Sequence, residues 1–209
     1  MRKSVNKFLF AAVATLAFAG CNNSAKQSAA EGSAAQSSPA AKYRVQLDTS
    51  RGPVVIEVDP TLAPRGAQHF YELVNAKYYD GARFYRVVPG FVVQWGAAAN
   101  PAVTKKWSAP IPDDPVKGSN TRGTVTFAST MQPNTRSTHL FISLGDNAKL
   151  DSMGFAPIGR VVSGMNVVDD IYPGFGEEPN QDQIAAQGNA YLEKNYPQLD
   201  YIKTARIVP

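Results

Sequence analysis

The chain has 209 residues, of which 44% are hydrophobic and 18% are charged, and these values are ordinary for a globular protein with one core. Its formal net charge is +4, but Arg2, Lys3 and Lys7 lie at the very start, and the other 18 basic residues nearly balance 17 acidic ones. No basic stripe remains, so the composition argues against nucleic acid as a partner.

The first 20 residues have the pattern of a signal peptide. Their basic start precedes FLFAAVATLAFAG (8–20), an apolar stretch that is too short to span a bilayer as a helix. Cys21, the only cysteine, follows directly, and this arrangement resembles the lipobox of bacterial lipoproteins. The resemblance implies that Cys21 is lipidated after cleavage. A plain secretory signal followed by an unmodified cysteine is the alternative.

The segment after Cys21 has the composition of a tether. Residues 22–42 are rich in Ser, Ala and Gln and contain no aromatic or β-branched residue. Such a segment cannot bury enough apolar surface to fold. We therefore expect a lipidated cysteine with a flexible tether over 21–42, and one folded domain over 43–209.

Two alternating segments at the start of this domain predict a β-hairpin. Apolar residues occupy every second position in 43–47 and again in 54–58, with turn residues over 49–53 between them. The period then changes, because the apolar side chains of 64–78 follow i, i+3, i+4 spacing after Pro64. This second pattern predicts a helix with one buried face.

Strand-like segments dominate the rest of the chain. A loop rich in Pro and Asp is predicted over 100–123, and a second short helix over 163–172. Many short strands with two helices and no βαβ rhythm predict a mainly β fold, an antiparallel barrel or sandwich with helical caps. The predicted strand segments are 84–96, 124–129, 139–145, 155–162 and 201–208.

One of these segments, FYRVVPGFVVQWG (84–96), combines aromatic and β-branched residues with Arg86 and Gln94. An unpaired guanidinium is costly to bury, so Arg86 has two interpretations. Either it faces solvent from an alternating strand, or it lines an apolar pocket that needs it. The residues of this segment alone leave both open.

Several motifs together resemble the cyclophilins, a family of peptidyl-prolyl cis-trans isomerases, and especially their bacterial secreted branch. The motifs are RFYRVVPGFVVQWG, RGTVTFAS, STHLFISLGDN and LDSMGFAPIGRVVSGMNVVDDI, and the similarity covers 43–208. It implies an eight-stranded antiparallel β-barrel capped by two helices. The stretch 174–199 is longer than in the minimal family pattern, and 181–196 within it is compatible with an additional helix.

The resemblance also implies a catalytic site around Arg86. Turning a prolyl amide crosses a barrier of about 20 kcal/mol, so the family holds the proline ring in an apolar socket and directs a fixed donor at the twisted amide nitrogen. Arg86 matches that donor, since a guanidinium stays charged and offers a rigid fork of N–H groups. Gln94 and Phe91 match its catalytic partners. The matching substrate-binding positions are Val92, Ala128, Ser129, His139, Phe141 and Leu150.

His139 and Trp95 are among the positions that depart from the family pattern. His139 stands where the family commonly has Gln, and a histidine changes charge near pH 6–7. We therefore expect activity to change between about pH 5.5 and 7.5. Trp95 stands where Gly is common, and it either crowds the floor of the pocket or fills the core.

Two functional classes follow. The first is a peptidyl-prolyl cis-trans isomerase acting on unfolded or flexible proline-containing polypeptides in a bacterial cell envelope, on the periplasmic side if the cell is Gram-negative. We expect a lipid-anchored monomer without a cofactor, and two histidines with one cysteine provide too few ligands for a zinc site. The second is a non-catalytic peptide-binding chaperone or scaffold that uses the same groove. Arg86 favours the first, because binding alone needs the apolar socket more than the guanidinium.

Overall fold

Strand pairing in the computed structural model, which describes residues 41–209, joins eight strands into one antiparallel sheet. The order across the sheet is β3-β4-β6-β5-β7-β2-β1-β8. The predicted mainly β fold with eight antiparallel strands is therefore confirmed. The strands are β1 Tyr43–Thr49, β2 Gly52–Val58, β3 Arg86–Val88, β4 Val92–Trp95, β5 Thr124–Phe127, β6 Leu140–Ser143, β7 Pro157–Ser163 and β8 Ile202–Val208.

The sheet curls into a half-barrel and not into a closed barrel, in which every strand would be hydrogen-bonded to two neighbours. Its end strands, β3 and β8, are not paired along their length, and the two edges meet only at the start of these strands and in the residues just before them. Phe84 N donates to the carbonyl of Asp200 at 2.9 Å, and Ile202 N donates to that of Ala82 at 2.8 Å. A single antiparallel bridge between Arg83 and Tyr201 accompanies them.

The two predicted helices are present, and the described residues contain further short ones. The helix predicted over 64–78 is shorter than expected, because it ends at Asn75. The stretch 181–196, considered above as an additional helix, holds two short helices, whereas the helix at Pro101–Lys106 lies in a predicted loop and the 3₁₀ helix was not predicted. The helices are α1 Pro64–Asn75, α2 Pro101–Lys106, α3 Met165–Asp169, α4 Gln181–Gln187 and α5 Asn189–Asn195, with a 3₁₀ helix at Ala148–Met153.

Helix α2 interrupts the segment that was predicted as a loop, and its start has a recognisable signal. Asn100 Oδ1 accepts a hydrogen bond from Ala102 N at 2.9 Å, and Pro101 occupies the first turn. An Asn cap followed by Pro is a favourable helix start. The prediction of a loop over 100–123 was therefore wrong for its first turns.

Register across β3, β4, β6 and β5 divides their residues between two buried faces. Val87, Val93, Ile142 and Val125 are successive cross-strand partners, and all four belong to the main apolar core. Their neighbours in sequence form the parallel row Arg86, Gln94, Phe141 and Thr126, which faces the other way. The sheet thus has a core face and an opposite face, which we call the groove face.

Trp95 lies on the core face. Its side chain is fully buried, and its ring packs edge-on against Tyr79 and Phe84 at centroid distances of 6.3 Å and 5.9 Å. Trp95 therefore fills the core, and the alternative that it crowds the floor of the pocket was wrong.

Trp95→Ala is expected to lower the free energy of unfolding by about 3–5 kcal/mol, because it leaves a large cavity between packed rings. Urea denaturation followed by circular dichroism measures this loss. Val162→Ala is the control, since Val162 is 46% exposed and its truncation is expected to change stability by less than about 0.5 kcal/mol. A loss below about 1 kcal/mol in Trp95→Ala would contradict the assignment of Trp95 to the core.

The predicted signal peptide (1–20), Cys21 and nearly all of the tether (21–42) lie outside the described residues. Within residues 41–209, no helix is both long enough and apolar enough to cross a membrane.

Candidate active site

A groove of about 670 Å³ opens on the groove face of β3, β4 and β6. Its walls also come from the chain after β5, from the 3₁₀ helix and from the segment before α4. The structure brings together all nine site residues predicted inside the described range. These nine lining residues are Arg86, Phe91, Val92, Gln94, Ala128, Ser129, His139, Phe141 and Leu150.

The apolar part of the groove is a compact socket. Val92, Phe141, Leu150 and Phe155 are buried together, and Phe91 and Ala128 pack against them. The rings of Phe141 and Phe155 meet edge to face at 5.8 Å. This socket has the chemistry needed to hold a small apolar ring such as that of proline.

Arg86 stands beside the socket on the groove face, with 23% of its side chain exposed. Its Nη1 donates to Gln94 Oε1 at 3.1 Å, and its Nε donates to Glu177 Oε1 at 2.6 Å. The guanidinium carbon lies 5.5 Å from the centre of the Phe91 ring. Of the two interpretations of Arg86, the structure thus supports the pocket and not the solvent-facing strand.

A chain of hydrogen bonds continues from Gln94 into the domain. Gln94 Nε2 donates to the hydroxyl of Tyr85 at 2.7 Å, and that hydroxyl lies 2.7 Å from His139 Nδ1. The Tyr85 oxygen accepts from Gln94, and we assign its own proton to the bond with Nδ1, which places the imidazole proton on Nε2. Burial raises the pKa of the Tyr85 hydroxyl, so it stays protonated in this role.

The chain after β5 forms a polar edge beside the socket. Ala128 N donates to the carbonyl of His139 at 2.8 Å. Neither the carbonyl of Ala128 nor the N–H of Ser129 has a hydrogen-bond partner among residues 41–209. These two groups are therefore available to the main chain of a peptide in the groove, as β-type pairing requires.

Sequence reasoning missed eight of the residues that line the groove, and four of these bear on its chemistry or shape. Phe155 was assigned to a strand, although its place five residues after Leu150 in an apolar segment was a usable signal. Glu177 lies 91 positions from the Arg86 that it contacts, so no local pattern could find it. Met131 and Met153 line the groove with 55% and 45% exposure, and isolated methionines carry no sequence signal.

Residues 41–209 contain no group of three or more His, Cys, Asp or Glu side chains that could hold a metal ion. In this part of the chain, the groove offers hydrogen-bond donors, an apolar socket and one guanidinium.

Comparison with known proteins identifies the family. Residues 44–188 match the model described as cyclophilin type peptidyl-prolyl cis-trans isomerase/CLD. The chain belongs to the cyclophilin family.

Named relatives agree with this assignment. The peptidyl-prolyl cis-trans isomerase A of Dickeya dadantii is 36% identical over 132 residues, covering 61% of this cyclophilin and 70% of the relative. A protein of Brucella abortus named as a probable peptidyl-prolyl cis-trans isomerase is 32% identical over 192 residues, covering 85% of this chain and 94% of its own.

Solved cyclophilins share the fold. A Cryptosporidium parvum cyclophilin type peptidyl-prolyl cis-trans isomerase, crystallised in the presence of the dipeptide Ala-Pro, has a TM-score of 0.61 and 20% identity, over 79% of this chain and 99% of that one. A cyclophilin from Hirschia baltica has a TM-score of 0.57 and 19% identity, over 78% and 73% of the two chains.

His139 does not behave as expected from its residue type. Loss of hydration lowers its pKa from 6.5 to about 4, and a hydrogen bond accepted from the Tyr85 hydroxyl at Nδ1 also favours the neutral ring. The side chain is therefore uncharged between pH 5.5 and 7.5, and the expected charge change near pH 6–7 was wrong. In this cyclophilin His139 serves as a neutral hydrogen-bonding group.

The lowered pKa of His139 predicts a pH dependence of stability. Below pH 6.5 the unfolded chain binds a proton at this residue that the folded chain does not bind until about pH 4. The free energy of unfolding therefore falls as the pH drops through this interval. Between pH 7 and pH 5, the free energy of unfolding of His139→Gln is expected to fall by about 1–2 kcal/mol less than that of the parent.

Urea denaturation of both proteins at several pH values measures the difference. His69→Gln measures the same effect at a histidine outside the groove. Burial lowers the pKa of His69 as well, but His69 is not among the residues that line the groove. Equal pH dependence in the parent and in His139→Gln would contradict the low pKa of His139.

Proposed function

We propose that this chain catalyses the cis-trans isomerisation of prolyl peptide bonds through Arg86. The observation that carries the proposal is the position of the guanidinium, at the edge of an apolar socket and on the same face of the sheet. The family of the chain and the names of its relatives support the same activity.

The proposed mechanism is electrostatic. When a prolyl amide twists, its nitrogen loses conjugation and regains a lone pair, which accepts a hydrogen bond better than the planar amide does. A guanidinium has five N–H groups, and Gln94 and Glu177 contact at most three of those on Arg86. At least two N–H groups are therefore available to the twisted nitrogen, while the socket holds the pyrrolidine ring. A preorganised donor of this kind lowers the barrier without proton transfer.

The proposed substrates are unfolded or flexible polypeptides that contain proline. The open groove, with its free main-chain groups at Ala128 and Ser129, suits an extended peptide. A related cyclophilin was crystallised in the presence of the dipeptide Ala-Pro. We propose that the protein acts as a monomer, since one chain supplies every part of the site.

We propose that the protein works in a bacterial cell envelope, held there by a lipid on Cys21. The proposal rests on the order of the basic start, the short apolar stretch and Cys21, and on the tether composition of 22–42. It includes the assignment to the secreted and lipoprotein branch of the family.

Arg86→Ala is expected to lower kcat/KM by roughly 10²–10³-fold, the usual effect of removing one preorganised donor. A protease-coupled or NMR exchange assay on an Ala-Pro peptide, with the domain from Lys42 onward, measures the loss. Arg160→Ala is the matched control, because Arg160 is an exposed strand arginine away from the groove.

Equal rates for Arg86→Ala and its parent would contradict the role of Arg86. If the parent binds the peptide but does not accelerate exchange, the groove belongs to a binding protein, which is the non-catalytic chaperone or scaffold. Circular dichroism of each variant separates a catalytic defect from unfolding.

Lipidation predicts that the full-length protein partitions into the detergent phase of a membrane extract, and that Cys21→Ser releases it or blocks its maturation. Metabolic labelling with a fatty acid and phase separation in Triton X-114 measure both effects. Stable anchoring needs about two lipid chains. A parent protein that is unlabelled and wholly in the aqueous phase would contradict the anchor and favour a plain secretory signal.

A further inference from the structure

The segment between α3 and β8 places a carboxylate against Arg86. Glu177 Oε1 accepts a hydrogen bond from Arg86 Nε at 2.6 Å and lies 2.5 Å from Nη2. Among the described residues, Arg86 and Glu177 are the only side chains with a formal charge that line the groove. The Glu177 side chain is 62% exposed, so the carboxylate reaches the guanidinium from the solvent side of the groove mouth.

A small apolar cluster, which we call the outer cluster, packs this segment against the body of the domain. Tyr85, whose hydroxyl joins Gln94 to His139, is one of its buried members. Phe175, two positions before Glu177, packs edge-on against Tyr172 and Tyr196 at 5.4 Å and 5.1 Å. The buried members of the outer cluster are Tyr85, Ala97, Ile184, Leu192 and Leu199.

A backbone hydrogen bond sets the position of Glu177 relative to β3. Val87 N, at the outer edge of the sheet, donates to the carbonyl of Gly176 at 3.1 Å. Val87 follows Arg86 and Gly176 precedes Glu177, so the bond joins the immediate neighbours of the ion pair. The carboxylate is therefore presented by a held backbone and not by a freely moving loop.

These contacts hold the guanidinium from two sides. Gln94 Oε1 accepts from Nη1, and Glu177 accepts on the Nε and Nη2 side. An arginine side chain has several rotatable bonds and loses considerable conformational entropy when it is ordered. With Gln94 as its only polar partner, Arg86 would rotate about a single hydrogen bond.

We propose that Glu177 is a positioning residue that holds Arg86 in its catalytic orientation, an inference that rests on the isomerase activity proposed above. Glu177 acts through Arg86 and needs no contact with the substrate. The outer cluster supplies the rigidity that makes this possible. The segment 174–199, which is longer than the minimal family pattern, thereby becomes a part of the active site.

Glu177→Ala is expected to lower kcat roughly three- to tenfold with KM changed less than about twofold, because an exposed charge-assisted contact is lost while the socket is intact. Glu177→Gln keeps an acceptor oxygen at the same reach and is expected to retain at least about half of the parent kcat. Glu178→Ala is the matched control, since Glu178 is the next residue, is exposed, and its carboxylate has no hydrogen bond or ion pair among residues 41–209.

A direct readout of orientation accompanies the kinetics. The Arg86 Nε–H resonance in a nitrogen-proton correlation spectrum, assigned by its loss in Arg86→Lys, reports whether this hydrogen is bonded and protected from exchange. It is expected to be sharp in the parent and in Glu178→Ala and to broaden or vanish in Glu177→Ala. If Glu177 only stabilised the fold, its removal would not broaden the Arg86 Nε–H resonance alone.

A second background tests whether Glu177 acts through Arg86. In an Arg86→Ala protein, adding Glu177→Ala is expected to change the residual rate less than twofold, because no guanidinium remains to be positioned. A further three- to tenfold loss in that background would overturn the inference, since Glu177 would then act on something else.

The remaining outcomes are also decisive. An active parent with an unchanged Glu177→Ala variant overturns the positioning role and leaves the proposed function standing. A faster Glu177→Ala variant also overturns it, because the contact would then restrain Arg86 from the substrate. An inactive parent overturns the proposed function and the positioning role with it, even if the Arg86 resonance depends on Glu177.

Discussion

Burial of β4 and β6 on both faces is the constraint on which the site depends. Every residue of β4 and β6 is buried, so the strands cannot assign one face to a core and the other to water. Residues such as Val93 and Ile142 pack into the main core, and their neighbours Gln94 and Phe141 turn toward the groove. A shift of one residue in register would exchange the two sets. Packing of the core therefore determines which side chains line the groove, because the same strands supply both sets of residues.

The fold and the socket could be predicted from the sequence, but their boundaries and outer parts could not. Alternation in 43–58 and the 3.6-residue period after Pro64 have direct physical causes, and both elements are present. In β3, β4 and β6, by contrast, adjacent apolar residues hide the alternation, so only the family motifs could assign Arg86, the first residue of β3, to the groove. The contact of Glu177 with Arg86 spans 91 positions, and only the folded chain brings the two together.

His139 shows why residue type is a weak guide to charge. An isolated imidazole titrates near neutrality, but at this site the ring loses hydration and accepts a hydrogen bond from the Tyr85 hydroxyl. Tyr85 is also packed into the outer cluster. Through its hydrogen bond with Gln94, it connects the hydrogen-bonded groups of the groove to the segment that carries Glu177. Sequence reasoning could name His139 as a groove residue, whereas its neutral state depends on neighbours that are far apart in the chain.

The rim of the groove differs in character from its floor. Phe141 and Phe155 form a floor of fixed aromatic rings, while Met131 and Met153 stand exposed at the edge. Methionine is unbranched and polarisable, so it adapts to neighbours of different shape. A rigid aromatic floor with flexible methionines at its rim fits one proline ring closely and tolerates different side chains on either side of that proline. The same thioethers are open to oxidation, and because a sulfoxide is polar, oxidation would reduce the range of apolar side chains that fit beside the socket while leaving Arg86 and the aromatic rings unchanged.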